Sequence, residues 1–247
     1  MKAIVFKARL NSLYSIRIPY TWQSSLTYPL PPPSSVIGMF ANALQRMKNN
    51  KHPVKYLEEL EEEIVWAGAK LLSPSVIKSY TTSAIVKWED NIGGKFTNAL
   101  GRQFGYTKNI QISAIFKDCS FISTLSSALS QSCLTCGDSE SPITIEELNV
   151  LDEVEEMSAN ELRKIETEYL FPFELNDIEI ISGSGRVYMI HERCMKKSKT
   201  FPLYAYLFPM KEENGVLYPD TVTVHIKNLQ KYELFRFSNQ TIIARKN

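Results

Sequence analysis

Between Lys87 and Lys108 the chain interleaves cations and aromatics: Lys87, Trp88, Lys95, Phe96, Arg102, Phe104, Tyr106 and Lys108. Lysine and arginine neutralise phosphates, in a sequence-independent contact that salt weakens. Aromatic rings offer faces on which splayed bases stack, each worth about 1–3 kcal/mol. That pairing of residue types is chemistry for a single-stranded nucleic acid. A solvated loop with its aromatics folded into the core has the same composition, because aromatic side chains are more often packed than ligand-stacking. A second cluster, Arg17, Tyr20, Thr21 and Trp22, precedes the run Tyr28-Pro-Leu-Pro-Pro-Pro-Ser-Ser-Val-Ile-Gly38. There a proline run meets a helix start. Proline keeps the preceding residue extended, so Pro31 to Pro33 should be non-helical, with Ser34 or Ser35 as the cap. The free N–H groups of that first turn favour a phosphate. Gly38 would let a backbone approach closely, or would simply allow tight packing against a sheet.

Two further segments carry weaker chemistry. Ser182-Gly-Ser-Gly-Arg186 superficially resembles a phosphate loop, but lacks the Gly-Lys-Ser/Thr ending and the following helix. It reads as a hairpin turn, with Arg186 kept as an RNA contact. Lys196, Lys197 and Lys199 read as a solvated turn or a rim contact to nucleic acid. Metal-independent RNA cleavage needs a base near the 2′-hydroxyl and an acid or cation near the leaving oxygen. His52 precedes Pro53, and His191 and His225 fall on strand patterns, so ordinary structural roles account for all three. No catalytic residue is expected. Cys133 and Cys136 form a lone Cys-x-x-Cys without a second pair or a nearby histidine, and a zinc tetrahedron needs four ligands. Small buried thiols are the simpler reading. A local disulfide is open if the source is hyperthermophilic. No metal and no cofactor are expected.

The chain has 247 residues, 44% hydrophobic and 22% charged, a length that suits one large or two small domains. Net charge is +1, but the charge is segregated: residues 1–57 hold eight basic and no acidic side chains, and residues 138–180 hold fourteen acidic and two basic. A neutral chain so divided can present a basic face, unless folding intermixes the blocks. The N-terminus opens on a strand pattern rather than a secretory signal. The uncharged run Ile18–Gln45 contains five prolines and is no membrane helix. A cytoplasmic location and no membrane partner are expected.

These groups need elements to position them. Ala3–Leu10 reads as a strand, Ser35 to about Asn49 as a helix, and Val54–Glu62 as a short charged helix. Glu63–Tyr80 supplies the second strand, and Asn109–Lys117 the third, with Ile110, Ile112, Ala114 and Phe116 on one face by period two. Phe121–Gln131 reads as a small helix and Pro142–Val150 as a strand. The segment near 84–108 is then a loop of more than twenty residues between adjacent strands, a length that is often functional. The order strand, helix, strand, strand, helix, strand predicts an α+β, ferredoxin-like (RRM-like) domain over residues 1–150 with a long thumb-like insertion. That superfold hosts many unrelated activities. Residues 151–247 predict a β-rich C-terminal region, after a helix around Ser158–Tyr169 with Ser158 and Glu161 as a capping box.

The first strand, the Tyr28–Gly38 helix start and the later Gly137-Asp-Ser-Glu140 turn come in one order. Over about residues 1–150 this closely resembles the CRISPR-associated Cas-five family, and most nearly its archaeal type I-A form. The resemblance implies a RAMP-superfamily subunit of Cascade that caps the 5′ handle of the guide RNA (crRNA) in antiviral defence. It implies contact with the first Cas-seven backbone subunit and other Cascade subunits, and with target DNA near the PAM through the assembled complex. In the family the Trp88–Lys108 position carries an extended hairpin, or thumb, that meets the guide RNA where its 5′ handle joins the spacer. One branch, type I-C, cleaves precursor crRNA with a tyrosine, a lysine and a histidine in or near the thumb. Here the corresponding segment offers Tyr106 and Lys108 but no histidine, and that departure argues for a non-catalytic subunit. The alternatives are a metal-independent pre-crRNA endoribonuclease of the same fold and an RRM-type RNA-binding adaptor outside CRISPR.

Overall fold

The computed structural model describes residues 1–21, 24–89, 94–117, 122–157, 164–194 and 202–246, with side chains left undescribed from 82 to 100. The chain is α+β with strands predominating. Its first sheet is a five-stranded antiparallel ladder running Ile64–Leu71, Asn109–Phe116, Lys2–Leu10, Pro142–Leu151, Leu134–Thr135. Lys2–Leu10 sits between Asn109–Phe116 and Pro142–Leu151, so strands far apart in sequence become neighbours.

Helix α1, Pro33–Lys48, packs against this sheet through Val36, Ile37, Phe40 and Leu44. Phe40 lies between Phe6 and Phe116, with ring centroids 6.2 and 6.4 Å away. The helix starts differently from the serine-capped expectation. Pro32 is the N-cap and no side chain caps it. Its carbonyl accepts from the N–H groups of Ser35 at 2.9 Å and Val36 at 3.2 Å. Pro33 is therefore helical rather than extended, since proline's fixed φ suits the first helical position and its missing N–H costs nothing there. Ser34 and Ser35 are left in the first turn with their hydroxyls uncommitted to capping. Helix α2, Pro53–Glu63, is capped by the His52 ring, which accepts from the Val54 N–H at 3.3 Å. Helix α3, Ile122–Gln131, buries Ile122, Leu125, Ala128 and Leu129 beside α1.

The face expected for Asn109–Phe116 is buried as read, but part of the opposite face is buried too. Ile110, Ile112, Ala114 and Phe116 are buried, but so are Ser113 and Ile115. The second face is covered by the C-terminal region, where Tyr169 donates to or accepts from the Ser113 hydroxyl at 2.7 Å. Trp66, Ile115, Tyr169, Phe235 and Phe237 form a core cluster on that side. The largest cluster also takes Leu170, Tyr206, Phe208 and Met210 from beyond residue 150.

The second strand expected over Glu63–Tyr80 is two strands, Ile64–Leu71 and Ser75–Glu89, broken at Leu72-Ser73-Pro74. The Ser73 hydroxyl accepts from the N–H groups of Lys108 at 3.1 Å and Asn109 at 2.8 Å, which fixes the corner. The expected long loop is instead a ladder: Ser75–Glu89 pairs with Gly94–Thr107 along its whole length. Its glycines do not end the strands, because a paired neighbour satisfies their backbone groups. This hairpin belongs to a second sheet with Ser24–Ser25 on one side and Val216–Pro219, Tyr204–Glu213 and Phe171–Pro172 on the other; Gly185–Ile190 pairs with Tyr204–Glu213 off that path. Two three-stranded sheets complete the C-terminal region. In one of them Ile165–Thr167 is a strand, where a helix was expected, paired to Val222–Ile226. The capping box Ser158/Glu161 lies outside the described residues.

Candidate nucleic-acid interface

Residues directly opposite in an antiparallel pair share a face, and side chains alternate along each strand. At the root of the hairpin Val76 faces Tyr106, Lys78 faces Phe104 and Tyr80 faces Arg102. One face therefore carries Lys78, Tyr80, Arg102, Phe104 and Tyr106. The Arg102 guanidinium lies 4.6 Å from the Phe104 ring centroid, and Tyr80 meets Phe104 edge-on at 5.8 Å. Tyr80 and Tyr106 are half exposed, at 49% and 53%. Lys78 is exposed and makes no ion pair among the described residues. The aromatics near the root are thus not folded into the core. Lys78 and Tyr80 escaped sequence reasoning, although Val76, Lys78 and Tyr80 stand at the two-residue spacing of one strand face. Lys87, Trp88, Lys95 and Phe96 lie higher on the hairpin. Backbone register pairs Lys87 with Phe96 and Trp88 with Lys95, while their side chains lie outside the described residues.

The root is bolted to the rest of the molecule by its other face. Tyr14 and Gly105 exchange backbone hydrogen bonds at 2.9 and 2.8 Å. The Tyr14 hydroxyl donates to the Pro29 carbonyl at 2.6 Å. A Cβ on Gly105 would stand 2.4 Å from the Tyr14 ring, so only glycine lets the ring lie there. Burial pushes the Tyr14 phenol above its ordinary range, keeping it a neutral donor. One tyrosine so ties the hairpin root to the proline run that starts α1.

Beside the root lies an open groove with a cavity volume of about 510 Å³, lined by Arg17, Ser25, Ser35, Arg102, Gly137 and Asp138 among others. Arg17 arrives on the Tyr14–Thr27 connection, where it bridges to Thr27. It is exposed and forms no ion pair among the described residues. Ser25 pairs with Arg102 in parallel register. Ser35 brings the first turn of α1, with its N-terminal partial positive charge. Gly137 bridges to Ser15 at φ +92°, and a Cβ there would meet the Ser15 carbonyl oxygen at 2.4 Å. Arg17, Ser35, Arg102 and the Gly137–Glu140 turn, four separate sequence signals, thus meet in one place. Asp138 is ion-paired with Arg102.

The other candidates fall out differently. Ser34 lies beside Ser35 in α1, and its carbonyl accepts from the Cys194 thiol at 2.9 Å. Gly38 has nothing within 4 Å of where a Cβ would stand, so it does not serve close packing against the sheet. Replacing it with alanine should stabilise the fold by roughly 0.5–1 kcal/mol through helix propensity. If RNA uses the open face, the same change should weaken RNA binding, which fluorescence anisotropy on the folded variant would show; undiminished binding would exclude Gly38 from the contact. Tyr20 is 80% exposed at φ +61°, while Trp22 lies outside the described residues. Lys108 is exposed just past the hairpin. Arg186 does not line the groove; it is ion-paired with Glu212. In the Ser182–Arg186 turn the Ser184 N–H and hydroxyl both donate to Asp220 Oδ2 at 2.8 Å. The protein's own carboxylate thus takes both Ser184 donors. The turn is not the expected hairpin: Ile178–Ser182 pairs with Val222–Ile226 and Gly185–Ile190 with Tyr204–Glu213, so the two strands part into different sheets because each finds its partner elsewhere in the chain. Lys196, Lys197 and Lys199 lie outside the described residues.

His191 Nδ1 stands 2.9 Å from the Pro202 carbonyl, and His225 pairs in register with Glu179. With His52 capping α2, none of the three lines the groove. Cys133, Cys136 and Cys194 are free thiols. Burial pushes the Cys136 thiol up to about 12, so it packs as a neutral group. Cys119 lies outside the described residues. No described helix is long and apolar enough to cross a membrane.

Fold and groove together define an α+β chain with a cation–aromatic hairpin face beside a groove that holds two arginines and one carboxylate. Residues 5–110 match the family described as CRISPR-associated protein (Cas_Cas5). Over those residues the chain is similar to this Cas-five family. Along its full length it shares its fold, at TM-score 0.63 and 15% identity with 100% of both chains covered, with a CRISPR protein from Archaeoglobus fulgidus. A chain of a "CRISPR RNA-guided surveillance complex" aligns at TM-score 0.46 and 12% identity, covering 84% of this chain and 91% of the other. A chain of a type III-B Cmr-beta complex bound to cognate target RNA and AMPPnP aligns at 0.45 and 9%, covering 89% and 86%. No curated protein matches.

Proposed function

We propose that this chain is a non-catalytic crRNA-binding subunit of a type I CRISPR interference complex, of the archaeal type I-A form, that holds the 5′ handle of the guide. The observation that carries it is the convergence of Arg17, Ser35, Arg102 and the Gly137 turn in one groove, beside the Lys78–Tyr80–Phe104–Tyr106 face. Cations position the backbone, exposed aromatics stack splayed bases, and edge contacts read a defined tag. Target specificity then comes from guide pairing. The order of the first sheet supports a ferredoxin-like first domain, and the paired hairpin is its thumb. The Cas-seven backbone is the neighbour that the family suggests.

Against the endoribonuclease alternative stands the absence of a histidine among the described groove and root residues, which leaves Tyr106 and Lys108 without a third member. The test incubates the protein with its host's repeat RNA at matched salt without metal, alone and with the backbone subunit. Handle-bearing RNA should bind more tightly than RNA with that segment scrambled, and both should stay intact. Equal binding would sink handle reading. Cleavage at the repeat, abolished by Tyr106→Phe or Lys108→Ala, would establish the nuclease instead.

A further inference from the structure

An anion-binding groove should not contain a carboxylate, yet Asp138 lines this one. Its placement is built. Gly137 before it is held at positive φ against Ser15. Asp138 Oδ1 accepts from the Ser141 hydroxyl, and its backbone carbonyl accepts from the Ser141 N–H at 3.3 Å. Oδ2 pairs with the Arg102 guanidinium, which also lies over Phe104. Both partners are partly exposed, at 35% for Arg102 and 23% for Asp138, so a ligand can reach the pair.

We propose that Asp138 is a specificity-determining competitor: it occupies Arg102 in the free protein and must be displaced before Arg102 can take a phosphate. This rests on the RNA-binding reading of the groove. A phosphate that arrives without other contacts then gains little, because one ion pair is broken for each one made. RNA that also fills the stacking face and the first turn of α1 offsets that loss. Weakening the wrong ligand is as effective for discrimination as strengthening the right one.

Asp138→Asn keeps an acceptor oxygen for Ser141 while removing the charge. It should tighten binding of a single-stranded oligouridylate by about fivefold, the size of a partly exposed ion pair. The log–log salt slope should steepen by about 0.7, one extra phosphate contact. Handle-bearing repeat RNA should gain less, so discrimination falls. The gain should vanish when Arg102→Ala is added. Wild-type protein that binds neither RNA would overturn the RNA reading itself. Wild-type binding with no gain in folded Asp138→Asn, or a gain that persists without Arg102, would overturn only the competitor. Asp138→Ser serves as a second variant; failure of both to fold would show that the carboxylate is structural, and would also overturn the proposal.

Discussion

Replacing Arg17 and Arg102 together with alanine should weaken binding of handle-bearing RNA by about thirtyfold, the net effect of two charge-assisted contacts less the ion pair that Arg102 already makes. Each single-strand phosphate contact adds about 0.7 to the log–log salt slope, so the double variant should flatten it by about 1.4. The two arginines come from different elements, the Tyr14–Thr27 connection and the Gly94–Thr107 strand, and line one groove. Neither supports the core: Arg17 is exposed, and Arg102 is anchored by a surface pair. Thermal unfolding should therefore change little. Titrations across a salt series, with Arg186→Ala as the comparison, decide the matter. Arg186 is committed to Glu212, so its loss should leave the slope unchanged. An unchanged slope in the double variant would place the RNA elsewhere.

The second large effect is on stability. Gly137→Ala should cost about 2–4 kcal/mol, because two penalties combine. The residue sits at φ +92°, where an L side chain is strained, and its Cβ would stand 2.4 Å from the Ser15 carbonyl oxygen. That oxygen is backbone and cannot rotate away. Gly215 isolates the first penalty, with φ +77° and nothing within 4 Å of a Cβ. Gly215→Ala should thus cost only about 1 kcal/mol. Denaturant midpoints of the two variants give the difference directly. RNA affinity should fall in Gly137→Ala alone, since relieving the clash moves the turn that carries Asp138. Equal costs for the two glycines would mean that the Ser15 contact yields freely.

Much of the scaffold was legible locally. Lys2–Leu10, α1 and α3 follow from apolar spacing, and were read to within two residues. The Tyr28–Gly38 run marked the start of α1, although the cap itself was misplaced, because one proline, Pro32, serves as N-cap and the next, Pro33, as first helical residue. Asn214-Gly215 is a short hairpin signal that the sequence reading left unused, and it joins Tyr204–Glu213 to Val216–Pro219. Val216–Pro219 was missed with it, because four residues hold too little alternation to stand out.

By itself the sequence determined the residue types available for RNA: the cations, the interleaved aromatics, and a helix start without acidic side chains. Period and propensity act over a few residues, so these are written along the chain. Tertiary structure alone decided which of them meet. Arg186 pairs with Glu212 away from the groove, Asp220 takes both donors of Ser184, and Lys78 and Tyr80 share a face with Phe104 and Arg102 by register. The groove depends on Ser15 bridging to Gly137 and on Arg102 reaching Asp138. Such contacts are set by which strands pair and by packing on both faces of the first sheet. Those are long-range choices, made by the total burial of the chain rather than by any segment of it.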